Sequence, residues 1–568
     1  MAFPYLHKDG FNLQKLWPLL LIILLGLSSF FLLFYNLGCR SLWGSEGRWA
    51  EVVRQMFLNR DFFHPQINGE PYFDKPLFTY WAIAVFTPLF GELNEFVARL
   101  PSALSGLCTI LGTFYLGQKL WNNTVAFYAS FILLTSFGFI FWSRTAAADT
   151  ENLAFIIAAI CWYIRFQDQS SYLTYIIFYL ICAIGSQFKG LTAAAVPAAV
   201  VLCHLMVYKN WKQHLNIKNI IAFFTGATVY ILPFVYAKVT SQHYGQEGLS
   251  LAFRENIVRF FKAFDHKEPF YVYLYYVPLL MLPWFFLLTG YISDKINGYK
   301  HMTKQEKWLA ASFATIFLLF TLSSSRRSYY ILPILPFGAL GIATFLASPF
   351  NHRIWRFSLT LQALSLLIVS GIGTANLFVW PVIQKINGYT PPPTLPSSIA
   401  IFSMIAIFPL MTFFGVKDHT GIRSLRPFLL IVASIALWAG FFCNWQCQLE
   451  RDRPLKAFVQ KLRMLTENIS ASSIALSKNM ASVAFYLDKK KPVVSLEKKE
   501  NIEPFLLKKD IKVLITRKKD LKRLLPYLAG CQMELLISCP SPKWDRRTNK
   551  RLEAWKITGS CVHKIISK

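Results

Sequence analysis

Residues 43–76 read W-G-S-E-G-R-W-A-E-V-V-R-Q-M-F-L-N-R-D-F-F-H-P-Q-I-N-G-E-P-Y-F-D-K-P, and this stretch decides how the rest of the chain is read. From Glu46 to Phe57 the apolar residues Trp49, Val52, Val53 and Met56 recur at i, i+3, i+4 and i+7, the spacing of a helix with one apolar face. Glu51, Arg54 and Gln55 fall on the opposite face, which predicts a helix lying in a membrane interface with that face toward water. Asn68-Gly69 marks a turn, and Lys75-Pro76 an extended entry into the next apolar run. A charged, folded loop between membrane spans points to an enzyme working at the bilayer surface rather than to a simple anchor.

The composition bounds the rest. Of 568 residues 54% are hydrophobic and 16% aromatic, and the mean hydropathy is +0.38, which excludes a soluble globular protein and implies many spans. The formal charge of +29 is uneven: from Asn444 onward there are 27 Lys and Arg against 12 Asp and Glu. A basic tail tethered to a membrane suits anionic lipid head groups better than nucleic acid. Cys108, Cys161, Cys182 and Cys203 lie in apolar runs as small core residues, while Cys531, Cys539 and Cys561 in the tail leave a disulfide open.

Leu16 to Tyr35 carries no charge and is long enough to cross about 30 Å of hydrocarbon. It exceeds a signal-peptide core and lacks a small-residue cleavage site, so it is read as a retained span. Further charge-poor runs at 96–117, 124–142, 152–166, 172–187, 191–208, 220–237, 271–291, 308–323, 329–348, 357–380, 398–415 and 427–443 bring the expected total to thirteen. The short segment 77–91, broken by Pro88, reads as re-entrant or interfacial. Lys209, Lys212, Lys218, Lys295, Lys300, Lys304, Lys307, Arg353, Arg356, Lys417, Arg423 and Arg426 fall on alternate connections, which places these in the cytoplasm. An odd number of spans then puts the tail on the outer side with the first loop. The expected organisation is a membrane domain over 1–445, with its first outer loop at 39–95, and a tail domain over 446–568. In the tail the apolar runs Ser473–Leu476, Val493–Leu496, Val513–Thr516 and Glu534–Ser538 alternate with helix-like stretches, which predicts a small α/β domain.

The outer loops carry charge beside the span ends. These are Glu46, Arg48, Asp74 and Lys75 in the first loop, Asp149 and Glu151 in R-T-A-A-A-D-T-E-N, and Lys189 in F-K-G. Further along come His266 in F-D-H-K-E-P-F, and Arg326, Arg327 and Tyr330 in S-S-S-R-R-S-Y-Y-I-L-P. One aqueous compartment receives them all, and a shared site there follows. Basic side chains also snorkel and acids also solvate loop ends, a role that fits Arg144, Glu151 and the basic residues of 254–262. The apolar flanks of Lys75 and Asp149 favour function. Fixed cations beside few acids suit a phosphate leaving group held by Arg and Lys and helped by a tyrosine hydroxyl. The acids suit deprotonation of an acceptor or steadying of a positive sugar. Asp74 and His266 have the chemistry of divalent-cation ligands, although an interfacial hydrogen-bonded histidine explains His266 as well.

The order of F-D-K-P-L-F-T-Y-W (73–81), N-E-F-V-A-R-L-P-S-A-L (94–104), A-D-T (148–150), F-K-G (188–190), H-K-E-P-F (266–270) and S-x-S-R-R-x-x-Y-x-L-P (323–333) resembles the bacterial protein O-mannosyltransferase-like membrane glycosyltransferases, and among them the aminoarabinose transferases that modify lipid A. The resemblance covers about residues 10–350. It implies a polytopic α-helical GT-C fold in a bacterial inner membrane. It also implies a polyprenyl-phosphate (undecaprenyl-phosphate) sugar donor and inverting transfer to a lipid A-like, glycan or protein acceptor on the periplasmic face. Arg48, Lys75 and Tyr330 match positions that hold the lipid phosphate, and Asp149 matches an acidic active-site position. Arg327 and Lys189 join the phosphate group as further cations. The family's usual Asp-Glu-x-Arg reads Ser45-Glu46-Gly47-Arg48 here, so the usual acid is replaced by Ser45. Asp149, or second to it Glu46, then takes the catalytic role, unless an anionic acceptor needs little help or the chain is an inactive member. A lipid-linked glycan transporter is the rival from another class; it calls for ionisable residues at mid-bilayer and two related halves, neither of which is seen.

Overall fold

The computed structural model describes residues 13–72, 75–240, 254, 258–262, 267–348, 352–387, 394–415, 425–445, 447, 455–508, 510–539 and 551–558. Every one of the thirteen apolar runs is helical within it. The first helices are α1 (Leu13–Phe34), α2 (Glu46–Asn59), α3 (Phe78–Phe90), α4 (Glu95–Leu120), α5 (Asn123–Leu134), α6 (Phe137–Ser143), α7 (Asp149–Phe166) and α8 (Tyr172–Lys189). Asn94, Asn122 and Ser171 cap α4, α5 and α8 by accepting backbone amides, the chemistry that starts helices. Among the described residues six helices are long and apolar enough to cross a membrane: Glu95–Leu120, Tyr172–Lys189, Ile217–Thr240, Arg353–Phe378, Ser397–Gly415 and Leu425–Cys443. Two bent pairs, α5 with α6 at 66° and Phe270–Leu280 with Phe285–Asn297 at 117°, bring the number to eight. The other expected crossings are shorter apolar helices, or carry charges in their first turn as α7 does. On the long spans Ile217–Thr240 and Ser397–Gly415, Ile220, Phe224, Leu232 and Phe408 stand exposed, as lipid-facing side chains do.

The first loop is not arranged as the sequence pattern suggests. Helix α2 buries Trp49, Val52, Val53 and Met56 as expected, but Glu51 and Gln55 on its other face are buried as well. The reason is a second partner. The helix Ala481–Leu487 of the tail packs on α2, and Arg54 bridges to it by bonding Glu51 at 2.7 Å and the Lys489 carbonyl at 3.0 Å. Gly47 makes the approach feasible: a Cβ there would lie 1.9 Å from Ser482 Oγ and 2.9 Å from Ser482 Cα. The strands β1 (Gln66–Ile67) and β2 (Glu70–Pro71) form a hairpin on the turn Asn68-Gly69, with φ of 52° and 81°. That turn docks on the tail too, Asn68 exchanging bonds of 2.6 and 2.9 Å with the backbone of Val493.

The tail holds a five-stranded sheet in the order β4-β3-β5-β7-β6, from β3 (Ile474–Leu476), β4 (Val494–Ser495), β5 (Lys512–Arg517), β6 (Gln532–Ser538) and β7 (Leu552–Thr558). β3 runs parallel to β4 and β5, whereas β7 pairs antiparallel with β5 and β6. One hydrophobic core joins Val53 of α2, Ile67 of the hairpin, Tyr80 of α3 and Leu476, Phe485 and Val513 of the tail. Tail and first loop therefore lie at the same end of the helical bundle and share one interior across the expected boundary at 445/446.

A disulfide the sequence reading did not anticipate joins Cys39, at the root of the first loop, to Cys447, at the root of the tail; Cys531 is also disulfide-bonded. Because it closes a loop over a sequence separation of 408 residues, its loss is expected to cost about 2–4 kcal/mol. Cys39→Ser should lower the thermal midpoint of the detergent-solubilised protein. A midpoint equal to the parent's, with the parent itself insensitive to reductant, would count against that bond.

Candidate active site

The motifs are brought together by packing between loops. Lys75-Pro76 leads into α3, where Thr79 donates to the Phe188 carbonyl and Phe78 meets the Phe188 ring edge-on at 6.0 Å. This ties F-D-K-P to F-K-G, where Gly190 turns the chain at φ 127° straight after Lys189 closes α8. Arg326 pins another pair of motifs, donating twice to the Thr321 carbonyl at 3.1 and 2.9 Å and once to the Glu268 carbonyl at 2.8 Å. The neighbouring tyrosines then turn toward α8.

At the centre stand Asp149 and Lys189. Asp149 opens α7 after Ala148, which adopts φ 53°, and its buried carboxylate is ion-paired with Lys189 Nζ. The same ammonium lies 4.8 Å from the ring centroids of both Tyr329 and Tyr330. Lys75 and Arg259 act on it electrostatically as neighbouring cations. Arg259 donates to the Tyr330 hydroxyl at 3.1 Å and to Ser325 Oγ at 3.2 Å. Asp149, Lys189, Tyr330 and Lys75 of the expected set thus gather at one place, joined by two residues the sequence reading missed, Arg259 and Tyr329. Arg259 sits in a basic segment that reads as an ordinary solvated stretch; only its fold-back onto S-S-S-R-R-S-Y-Y reveals it.

The other expected residues fare differently. Arg48, exposed on the first turn of α2, donates to the Tyr72 hydroxyl at 3.0 Å. Arg327 is half exposed and lies 3.7 Å from Glu268. Glu46 is fully buried, and both its oxygens are engaged by Arg99 at 2.8 Å, with the Ala146 amide at 3.0 Å and the Trp43 amide at 3.1 Å. A carboxylate so committed is placed to hold structure rather than to take a proton. Arg144 and Glu151 do not reach water as snorkelling or solvating groups do. Arg144 bonds the Leu32 and Tyr35 carbonyls at 2.9 Å, and Glu151 accepts Ser102 Oγ at 2.8 Å in the interior. Asp74 and His266 lie outside the described residues. Among the described residues no group of three or more His, Cys, Asp or Glu could hold a metal ion.

The candidate site is thus a carboxylate beside lysine, arginine and tyrosine side chains. The fold is a polytopic GT-C membrane fold with a small sheet domain. The family described as dolichyl-phosphate-mannose-protein mannosyltransferase matches residues 74–237. The chain is 30% identical to the undecaprenyl phosphate-alpha-4-amino-4-deoxy-L-arabinose arabinosyl transferase of Edwardsiella ictaluri over 318 residues, 54% of this chain and 56% of that one. It thus spans about half the length of such relatives. A protein of Aquifex aeolicus without an assigned activity is 25% identical over 494 residues, 83% of this chain and 89% of its own. In fold it is similar to the crystal structure of ArnT from Cupriavidus metallidurans bound to undecaprenyl phosphate, with a TM-score of 0.71 at 16% identity over 96% of this chain and 99% of that one.

Proposed function

We propose that the chain transfers a sugar from a polyprenyl-phosphate donor to an acceptor at the outer face of a bacterial inner membrane. A lipid A-like glycolipid is the first choice of acceptor, and a glycan or protein the alternative. The observation that carries this is the Asp149–Lys189 pair set against Tyr330, Arg259 and Lys75. Relatives named for an undecaprenyl-phosphate sugar support the donor class. The disulfide between loop and tail fits an oxidising compartment and supports the periplasmic side.

In this reading Lys75, Arg259, Lys189 and the Tyr330 hydroxyl hold the donor phosphate through charge-assisted bonds. An acceptor oxygen attacks the anomeric carbon from the face away from the phosphate and forms the new glycosidic bond. The bond from that carbon to the phosphate oxygen breaks, and its electron pair leaves on the phosphate, which the cations stabilise. Asp149 accepts the acceptor's proton, and the anomeric configuration inverts. Losing one charge-assisted contact costs about 1.5–3 kcal/mol, roughly 10- to 150-fold in affinity. Lys75→Ala and Arg259→Ala are therefore each expected to weaken binding of a purified polyprenyl-phosphate by that factor while elution from a sizing column stays as in the parent. Unchanged binding in both would remove the cluster as the donor site.

A further inference from the structure

The carboxylate of Asp149 is aimed by the turn that precedes α7, and the tether of that turn is Glu46, which accepts the Ala146 amide at 3.0 Å. Glu46 is in turn gripped by Arg99 of α4 with two bonds of 2.8 Å. The remaining Arg99 donors take the carbonyls of Leu37, Arg40 and Ser41 at 2.8, 2.9 and 3.1 Å, so one guanidinium fixes both Glu46 and the strand of chain leading to it. Four residues before Arg99, one helical turn away on the same face, stands the buried Glu95. The tail reaches this point. The Tyr486 hydroxyl donates to Glu95 Oε1 at 2.9 Å and accepts the Leu42 amide at 2.8 Å, while Lys456 Nζ pairs with Glu95 at 2.9 Å. Leu42 is followed by Trp43, whose amide bonds Glu46 Oε2 at 3.1 Å. Two short routes therefore run from one tyrosine of the tail to the cradle of Glu46, and from there to the turn that presents Asp149.

We propose that Tyr486 is a positioning residue for sugar transfer: it fixes Glu95 and Leu42, through them the Arg99–Glu46 pair, and through Glu46 the backbone that aims Asp149. The tail is then a working part of the active site. This rests on the transfer reading given above. Tyr486 touches no reacting atom and differs in kind from the donor-binding cations, which sit on other elements.

The difference gives the test. Tyr486→Phe keeps the ring beside Phe485 and removes only the hydroxyl, which leaves the Leu42 amide and one Glu95 oxygen without that partner. In the full-length protein kcat for transfer is expected to fall about tenfold, with KM for the lipid donor within about twofold of the parent. Hydrogen exchange should quicken in the peptide covering 144–149 and stay as in the parent in β3 and β5. Glu46→Gln combined with Tyr486→Phe should lose less than the product of the two single losses, since both act on one turn. Lys456→Met, which removes the second partner of Glu95 from an exposed side chain, should move the same readouts in the same direction and stands in if Tyr486→Phe fails to fold. Unchanged kcat and exchange, faster exchange in β3 and β5 as well, or strictly multiplicative losses would each overturn the proposal. If the parent transfers no sugar from any lipid donor, the transfer reading fails, and exchange at 144–149 still decides whether Tyr486 holds the turn.

Discussion

Asp149→Asn is expected to lower turnover by at least about 10²-fold, toward the lower end of what a carboxylate general base contributes. The side chain is 6% exposed, begins α7 and is ion-paired with Lys189. In the proposed transfer a donor phosphate among Lys75, Arg259 and Lys189 competes for the Lys189 ammonium and leaves the Asp149 carboxylate free to accept the acceptor's proton. Asn fills the same space and cannot take the proton. Glu46→Gln should lose less turnover than Asp149→Asn, because Glu46 already spends both oxygens on Arg99. Ser45, which stands where the family this sequence resembles has its usual acid, makes no capping bond with its side chain, so Ser45→Asp should be tolerated or activating. The assay is transfer from a purified lipid donor in detergent with all three variants. Near-normal turnover in Asp149→Asn would sink the assignment of the base.

The chain revealed its helices through long apolar runs, and a turn through Asn68-Gly69, because those signals are local; that the turn closes a hairpin was not legible. The strands β3, β4, β5 and β6 were legible for the same reason. β7 was not: Arg551, Glu553 and Lys556 mask it, and it buries only Ala554 and Ile557 fully. The fate of α2 was the larger miss. Its Glu51, Arg54 and Gln55 face looks solvent-directed in isolation, and only a partner more than 400 residues away buries it, as the 434-residue separation of Arg54 from Asp488 illustrates. Gly47 carried the one hint, since a glycine inside a helix costs stability unless something comes close. The candidate site was legible as residue types, not as pairings. Lys75 and Asp149 could be picked from apolar flanks and Lys189 from its place in F-K-G, but sequence spacing gave no reason to join Asp149 to Lys189. Glu46 looked like a spare acid until Arg99, 53 residues on, accounted for both its oxygens.

The second large effect falls on stability, at that same buried pair. Glu46 is 0% and Arg99 1% exposed, so removing either partner strands a charge in the interior at a cost of about 3–5 kcal/mol. Glu46→Ala and Arg99→Ala should each lower the thermal midpoint sharply, whereas Glu46→Leu with Arg99→Met should cost less than either, because both charges leave together. The pH dependence follows from the pair. Burial alone pushes the Glu46 carboxyl up, but Arg99, then Arg40 and the Trp43 amide, outweigh it and hold the group below its ordinary 4.5. A carboxyl depressed in the folded state lends its full stability above that ordinary value and loses it as the pH falls through the lower folded value. The parent should therefore lose stability on acidification below about pH 4.5, and the double Leu/Met variant should show a flatter acid limb. Thermal midpoints in detergent, taken from neutral pH to about pH 3, measure both. Acid limbs of equal steepness would mean that other carboxylates govern the acid sensitivity and that Glu46 is not held as its bonds indicate.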